Sequence, residues 1–306
     1  MSRLDRQSFL GAASEETLAR LTVGLVGLGG GGSHVAQQLA HVGVGNFVLV
    51  DPDIVEDTNL NRLVGGALLD ALQKRLKVLV AMRVIKGVNP KAKVTCISKP
   101  WQQALHDLKP CDIVVGGLDS VLAKDELDRF CRRQLVPYID MGMDVNAVGD
   151  HFLIAGQVAM SSPGCPCLRC FGIVTDDALG KEAARYGAAG SKPQVVWPNG
   201  VLASLAVGMV TQLATPWHRG SSGSAYLEFD GNANTVRHSD RLKILQGVSC
   251  PHHVAADVGD MRFDIRKPAD AAASAEAVEA ASSWAQAWKV ALQKLGEAFR
   301  ALTGRR

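Results

Sequence analysis

A chain of 306 residues, 47% of them hydrophobic and 21% charged, can bury a sizeable core, which excludes wholesale disorder. Lysine and arginine (33) barely exceed aspartate and glutamate (30) and form no long basic block, so a general nucleic-acid surface is not expected, while a local phosphate site is allowed. Seven cysteines without an export-type leader, and no run of 18 apolar residues, lead us to expect a cytosolic chain with thiols and metal ligands, neither disulfide-framed nor membrane-bound.

Residues 1–20 are read as an N-terminal arm and helix, residues 21–266 as one domain and residues 267–306 as a helical tail. From residue 21, β-branched runs alternate with helical patterns. "LTVGLVG" precedes a helix from Ser33 to about Val42; "NFVLVD" precedes a helix near Leu72 to Lys86. "KVTCIS", a short helix near Trp101, "DIVVGGLD", a helix near Leu122 to Gln134 and "PYIDMGM" follow. That order predicts an α/β fold, Rossmann-like and doubly wound on a mostly parallel sheet. "HFLIAGQVAM" and "SAYLEFDGNANTVRHSD" read as antiparallel edge strands. Between them, Thr175 to Gln194 is a candidate mobile loop, and "WPNGVLASLAVGMVTQLA" an apolar helix for burial against the sheet or at a subunit interface. In the tail, Trp284, Trp288, Leu292, Leu295 and Phe299 share one helical face, which either docks on its own domain or binds a partner.

Gly27, Gly29 and Gly32 fit G-x-G-x-x-G between a strand and a helix. The first permits the tight turn, the second lets backbone amides approach phosphates, and the third lets the helix pack on the strand. Asp51 ends the next strand 24 residues after Gly27, where a carboxylate can take ribose hydroxyls. Up to this point the pattern says nucleotide without saying which one. The loop "DPDIVEDTNLNR" then gathers Asp51, Asp53, Asn59 and Arg62 at the carboxyl edge of the sheet, where such folds bind ligands. Arg62 and Asn59 could hold a triphosphate by charge-assisted bonds.

Taken together, "VGLVGLGGGGSHVAQQLAHVGVGNFVLVDPDIVEDTNLNR" resembles the adenylation domain of the MoeB/ThiF family, relatives of the ubiquitin-activating enzymes. The likeness runs from about Arg3 to His253. It departs at Gly31, where an apolar residue is usual, and at Leu63, where glutamine usually follows the arginine. "SRLDRQSFLG" matches the family's N-terminal arginine segment and implies that Arg6 reaches the partner's ATP in a homodimer. "KVLVAMRVIKGVNP" makes Lys77 the phosphate-contacting lysine, a role Lys74 or Arg75 could share or take. "DIVVGGLDS" makes Asp119 the Mg²⁺-linked aspartate, with Ser120 replacing the usual asparagine. The resemblance implies adenylation by ATP of the C-terminal carboxylate of a small ubiquitin-like or sulfur-carrier protein. A carboxylate is already ionised at pH 7, so cations and oriented donors, rather than a general base, are the main requirement.

"CPCLRC" supplies Cys167-x-x-Cys170, and "SCPHH" supplies Cys250 with His253 in C-x-x-H spacing 80 residues on. Two such pairs make a tetrahedral Zn²⁺ site that staples the end of the domain to its middle. His252 competes as fourth ligand and Cys165 for a sulfur position; the alternative is buried thiols beside a surface histidine pair. Cys96, Cys111 and Cys131 sit in apolar contexts that suit inert core thiols. Members of the resembled family that form a thioester or persulfide carry a cysteine in the loop after the first cysteine pair, and Phe171 to Gln194 contains none, so the resemblance implies that the reaction stops at the adenylate or passes to a thiol on another protein, a conjugating enzyme or sulfur donor. Adenylation of a peptide or a modified tRNA base, an NAD-dependent oxidoreductase, and an inactive nucleotide-binding scaffold are the competing readings.

Overall fold

The apolar runs without alternation are those whose two faces are both covered. A computed structural model of the chain describes residues 3–184, 193–218, 223–245, 248 and 250–253. Here such runs become β1 (Thr22–Val26), β2 (Asn46–Val50) and β4 (Ile113–Gly116), while the more polar β3 (Lys93–Ile97) is only partly buried at the sheet edge. With β5 (Tyr138–Val148), β6 (His151–Ser161), β7 (Ala225–Asp230) and β8 (Thr235–His238) they form one sheet in the order β3-β2-β1-β4-β5-β6-β7-β8. Pairing is parallel from β3 to β5 and antiparallel from β5 to β8. The chain places β2 and β3 on one side of β1 and β4 and β5 on the other. The β1/β4 boundary is therefore the topological switch point, where open α/β sheets bind ligands.

The helices are α1 (Ser14–Arg20), α2 (Gly30–Val42), α3 (Leu68–Leu72), α4 (Lys77–Val88), α5 (Leu105–Leu108), α6 (Val121–Arg133), α7 (Leu168–Phe171), α8 (Asp176–Ala184), α9 (Val196–Ala214) and α10 (Arg241–Ile244). In α2, Val35, Ala36, Leu39 and Ala40 recur at helical spacing and are buried. They join Leu202, Ala203, Ala206 and Val210 of α9 in the core. Small residues on both helices allow the close approach. By length and composition α9 is the one described helix apolar enough to cross a membrane, and half of its most apolar window is buried in this packing.

The single helix expected from Leu72 to Lys86 is two. Lys74 takes a left-handed φ of +49° and separates α3 from α4. A buried carboxylate fixes the break: Asp70 accepts from the Arg83 guanidinium at 2.9 and 2.6 Å and from the Ala67 amide at 3.0 Å. Those bonds from Arg83 hold the Asp70 carboxyl below its usual range. β5 runs beyond "PYIDMGM" because its whole length pairs with β6, from Tyr138 against Ser161 to Val148 against His151, in a hairpin turned at Gly149, φ +62°. The expected loop from Thr175 begins instead as α8; residues 185–192 and the expected tail helix at 267–306 lie outside the described residues.

Candidate active site and metal centre

The three glycines of the turn do three different things. Gly27 has φ +86°, and a Cβ there would lie 2.6 Å from the Gly117 carbonyl oxygen; a Cβ on Gly32 would run into the carbonyl oxygen of Gly27. At Gly29 a Cβ would meet nothing within 4 Å, so the room is on the ligand side. Gly31, the departure from the family pattern, has its space taken by the Met141 methyl at 3.3 Å and Asn199 Oδ1 at 3.6 Å. Gly32→Ala is therefore expected to cost about 3 kcal/mol or more, because backbone cannot yield as a side chain can. Gly29→Ala should stay within about 0.5 kcal/mol of wild type in urea denaturation while weakening nucleotide binding. Equal stability of the two variants would overturn this division.

The turn opens on a cavity at the switch point, lined by Gly29, Gly117 and Asp119, and by Arg62 and Lys124. Arg62 is braced by the Thr58 carbonyl at 2.7 Å and Asn61 Oδ1 at 2.9 Å. Asn59 does not line the cavity; its side chain accepts from the Glu56 amide at 3.1 Å and its carbonyl from the Arg62 amide at 3.0 Å, so it shapes the loop that presents Arg62. Asp51 is buried and accepts from the Leu28 amide at 2.6 Å and the Asp53 amide at 2.8 Å, tying the turn to β2; burial pushes its carboxyl up. Lys77 pairs with Asp53 at 2.7 Å, next to the cavity loop rather than in the cavity wall. Lys74 carries the helix break, and Arg75 stands 3.0 Å from Asp70. Asp119 is exposed at the cavity edge and accepts from Gln194 at 3.3 Å. Arg6 lies in the 3₁₀ turn Asp5–Leu10, which is fastened to the far end of α2 by a Gln7 bond to the Val42 carbonyl. A 13-residue helix is about 20 Å long, so Arg6 stands well away from its own cavity.

Sequence reasoning missed Lys124, Gln157, Gly142, Asp144, Asn199 and Gln194, all of which line the cavity. For Lys124 a signal existed. Lys124, Asp128 and Arg132 recur every four residues along α6, and all are buried, a stripe that requires internal pairing. Lys124 meets Asp140 at 2.8 Å; Arg132 meets Asp128 at 3.3 Å and holds the Cys165 and Pro166 carbonyls at 2.8 Å each.

β5 and β6 carry the cavity onto the sheet's outer face. Register aligns Gly142, Gln157, Glu228 and Arg237 in one row and Asp144, Ala155, Asp230 and Thr235 in the next. Apart from Gly142, these rows line a groove that shares Asp144 and Gln157 with the cavity. Three carboxylates there face one arginine, which is already paired to Glu228 at 2.9 Å.

Arg132 secures the turn that presents the thiols. Cys167 and Cys170 stand 3.6 Å apart, Cys170 and Cys250 3.6 Å, and His252 Nδ1 lies 3.4 Å from both Cys167 and Cys170. A tetrahedral zinc has sulfur–sulfur edges of about 3.8 Å and sulfur–nitrogen edges of about 3.5 Å, so the four atoms fit the ion. The expected fourth ligand, His253, is instead grouped with Asp128 and Cys167, because consecutive residues of a turn point apart. Cys250 is held down to about 3, first by a hydrogen bond from Cys167, whose own thiol is pushed up. Elsewhere burial raises Cys96, Cys131 and Cys111, the last to about 12, as suits inert core thiols.

A family model described as the ThiF family matches residues 2–251. The chain is similar to the tRNA threonylcarbamoyladenosine dehydratase of Bacillus subtilis, 31% identical over 133 residues, 42% of this chain and 52% of that protein. It is similar to the molybdopterin-synthase adenylyltransferase of Haemophilus influenzae, 35% identical over 174 residues, 55% and 68% of the two chains. Its fold is that of E. coli MccB solved with ATP, TM-score 0.63 at 22% identity, covering 78% of this chain and 71% of that one. The chain spans little more than half the length of the first curated relatives it matches, 52% and 58%.

Proposed function

Because the chain belongs to the ThiF family, we propose that it is an ATP-dependent adenylyltransferase acting on the C-terminal carboxylate of a small ubiquitin-like or sulfur-carrier protein. The observation that carries this reading is the groove on the outer sheet face, which continues from the cavity and suits an extended polypeptide tail. Its acidic lining disfavours the rival substrate, a tRNA, whose phosphates would meet Asp144, Glu228 and Asp230.

The carboxylate attacks the α-phosphorus, the bond to the bridging oxygen breaks, and pyrophosphate leaves with the electron pair; no proton need move. Two anions must approach, so the work is charge neutralisation. Gly29 leaves room for the phosphates, Arg62 faces them, and Asp51 and Asp53 border the ribose side. Lys77 exchanges Asp53 for phosphate, and Asn59 keeps the Arg62 loop in shape. Asp119 would hold Mg²⁺, which suits one carboxylate plus phosphate oxygens and supplies charge neutralisation on the leaving group. Arg6 lies far from its own cavity and is assigned to the partner's, in a homodimer. Cys167, Cys170, Cys250 and His252 would hold a structural Zn²⁺. Seven free cysteines suit a reducing, cytosolic setting, and a thiol on a sulfur donor or conjugating enzyme would receive the acyl group from the adenylate, with the acyl–phosphate bond breaking and AMP leaving.

The test is ATP–pyrophosphate exchange with and without a purified carrier ending in Gly-Gly. Exchange only with the carrier supports the reading. ATP binding without exchange would leave a scaffold, and NAD reduction without exchange an oxidoreductase.

A further inference from the structure

Gly142 lacks a side chain at the one place on β5 where two donors converge. A Cβ there would collide with the Gln157 amide nitrogen and lie 3.0 Å from Lys124 Nζ. An ammonium has three N–H donors. Among the described residues, Asp140 Oδ2 at 2.8 Å and the Met141 carbonyl at 3.1 Å take two, leaving one for the cavity that Lys124 lines. Lys124 is held there: Asp140 is fully buried and also accepts from the Tyr138 hydroxyl at 3.0 Å, so withdrawing the ammonium would strand a buried charge. Gln157 stands directly across from Gly142 and lines both cavity and groove.

The order of strands fixes what this donor pair faces. Going from the glycine turn on β1 through β4 to β5 and β6 crosses two and three strand spacings, about 10 and 14 Å. The pair is thus displaced from the phosphate turn toward the mouth of the groove. Asp144 lies on the same face one pleat further out, about 7 Å along the strand. It repels an incoming carboxylate from the groove toward Lys124. Arg62 and Asp119 line the same cavity.

We propose that Lys124 and Gln157 seat the terminal carboxylate of the substrate, the nucleophile of the reaction, with Gly142 providing the room. This rests on the adenylation reading above. One carboxylate oxygen is held by the two donors, and the other attacks the α-phosphorus as the bridging bond to pyrophosphate breaks. In the acyl-adenylate the held oxygen becomes the carbonyl oxygen and keeps its donors.

The probe is 5′-O-(N-glycylglycylsulfamoyl)adenosine, a non-hydrolysable acyl-adenylate mimic, compared with ATP by calorimetry on the full chain. Gln157→Leu and Gly142→Ala should each weaken the mimic tenfold or more and leave the ATP Kd within twofold. Thermal melting checks folding, and Gln157→Leu carries the test should Gly142→Ala fail to fold. An unchanged mimic Kd in a folded variant, or equal losses for mimic and ATP, would overturn the seat. Wild-type protein that binds ATP but not the mimic overturns the seat alone; binding of neither ligand brings down the adenylation reading with it.

Discussion

Cys170→Ser is expected to abolish zinc binding and to release the chain around Cys250 from the domain, leaving the sheet folded. The four proposed ligand atoms come from two segments about 80 residues apart, Cys167 and Cys170 from the first and Cys250 and His252 from the second. Structural zinc contributes on the order of 10 kcal/mol in small peptides, comparable to the whole stability of a typical domain. Here its loss is expected to act locally. The first thiol turn has a metal-independent anchor: Arg132 bonds the Cys165 and Pro166 carbonyls, and Asp128 accepts from the Leu168 amide at 2.9 Å. The second segment has no comparable anchor among the described residues. Metal analysis should therefore find one zinc per chain in wild type and in His253→Ala, and none in Cys170→Ser or His252→Ala. Limited proteolysis should cut the zinc-free variants near Cys250 first. Full zinc in His252→Ala would remove that residue from the site, and full zinc in Cys170→Ser would remove the site itself.

The parallel half of the fold was legible because it depends on local signals. Unbroken β-branched runs, a glycine turn and a run of helical patterns each specify their element without reference to distant residues. The break at Lys74 was not legible, since it is fixed by Asp70 meeting Arg83, a pairing across 13 residues whose partners read as ordinary surface charges. The candidate site divides in the same way. Arg62, Asp119 and the glycines follow strand ends, and strand ends were readable. Gln157 reaches the cavity beside Gly142 and Asp144 only because β6 folds back on β5 in one particular register, and a slip of one residue would turn it away. The choice of His252 over His253 depends on the direction of two adjacent side chains, which spacing alone leaves open.

Asp119→Asn should lower ATP–pyrophosphate exchange by 10²–10³-fold, about 2.7–4 kcal/mol of transition-state stabilisation by analogy with the loss of one electrostatic donor, while leaving the melting temperature unchanged. Both halves of the expectation follow from position. Asp119 is exposed at the end of β4 and, unlike its neighbour, does not cap α6. That task falls to Ser120, whose hydroxyl accepts from the Ala123 amide at 3.1 Å, and to Glu182, which accepts from the Val121 and Leu122 amides at 3.1 and 2.8 Å. Asparagine keeps an oxygen for the Gln194 amide while losing the charge. Ser120→Ala is the complementary control: loss of a cap costs about 1 kcal/mol of stability and should leave exchange within threefold. The two variants thus separate a structural carboxylate from one that neutralises the leaving pyrophosphate through Mg²⁺. Exchange by Asp119→Asn within threefold of wild type would refute the assignment. A melting-temperature loss equal to that of Ser120→Ala would instead make Asp119 part of the helix cap.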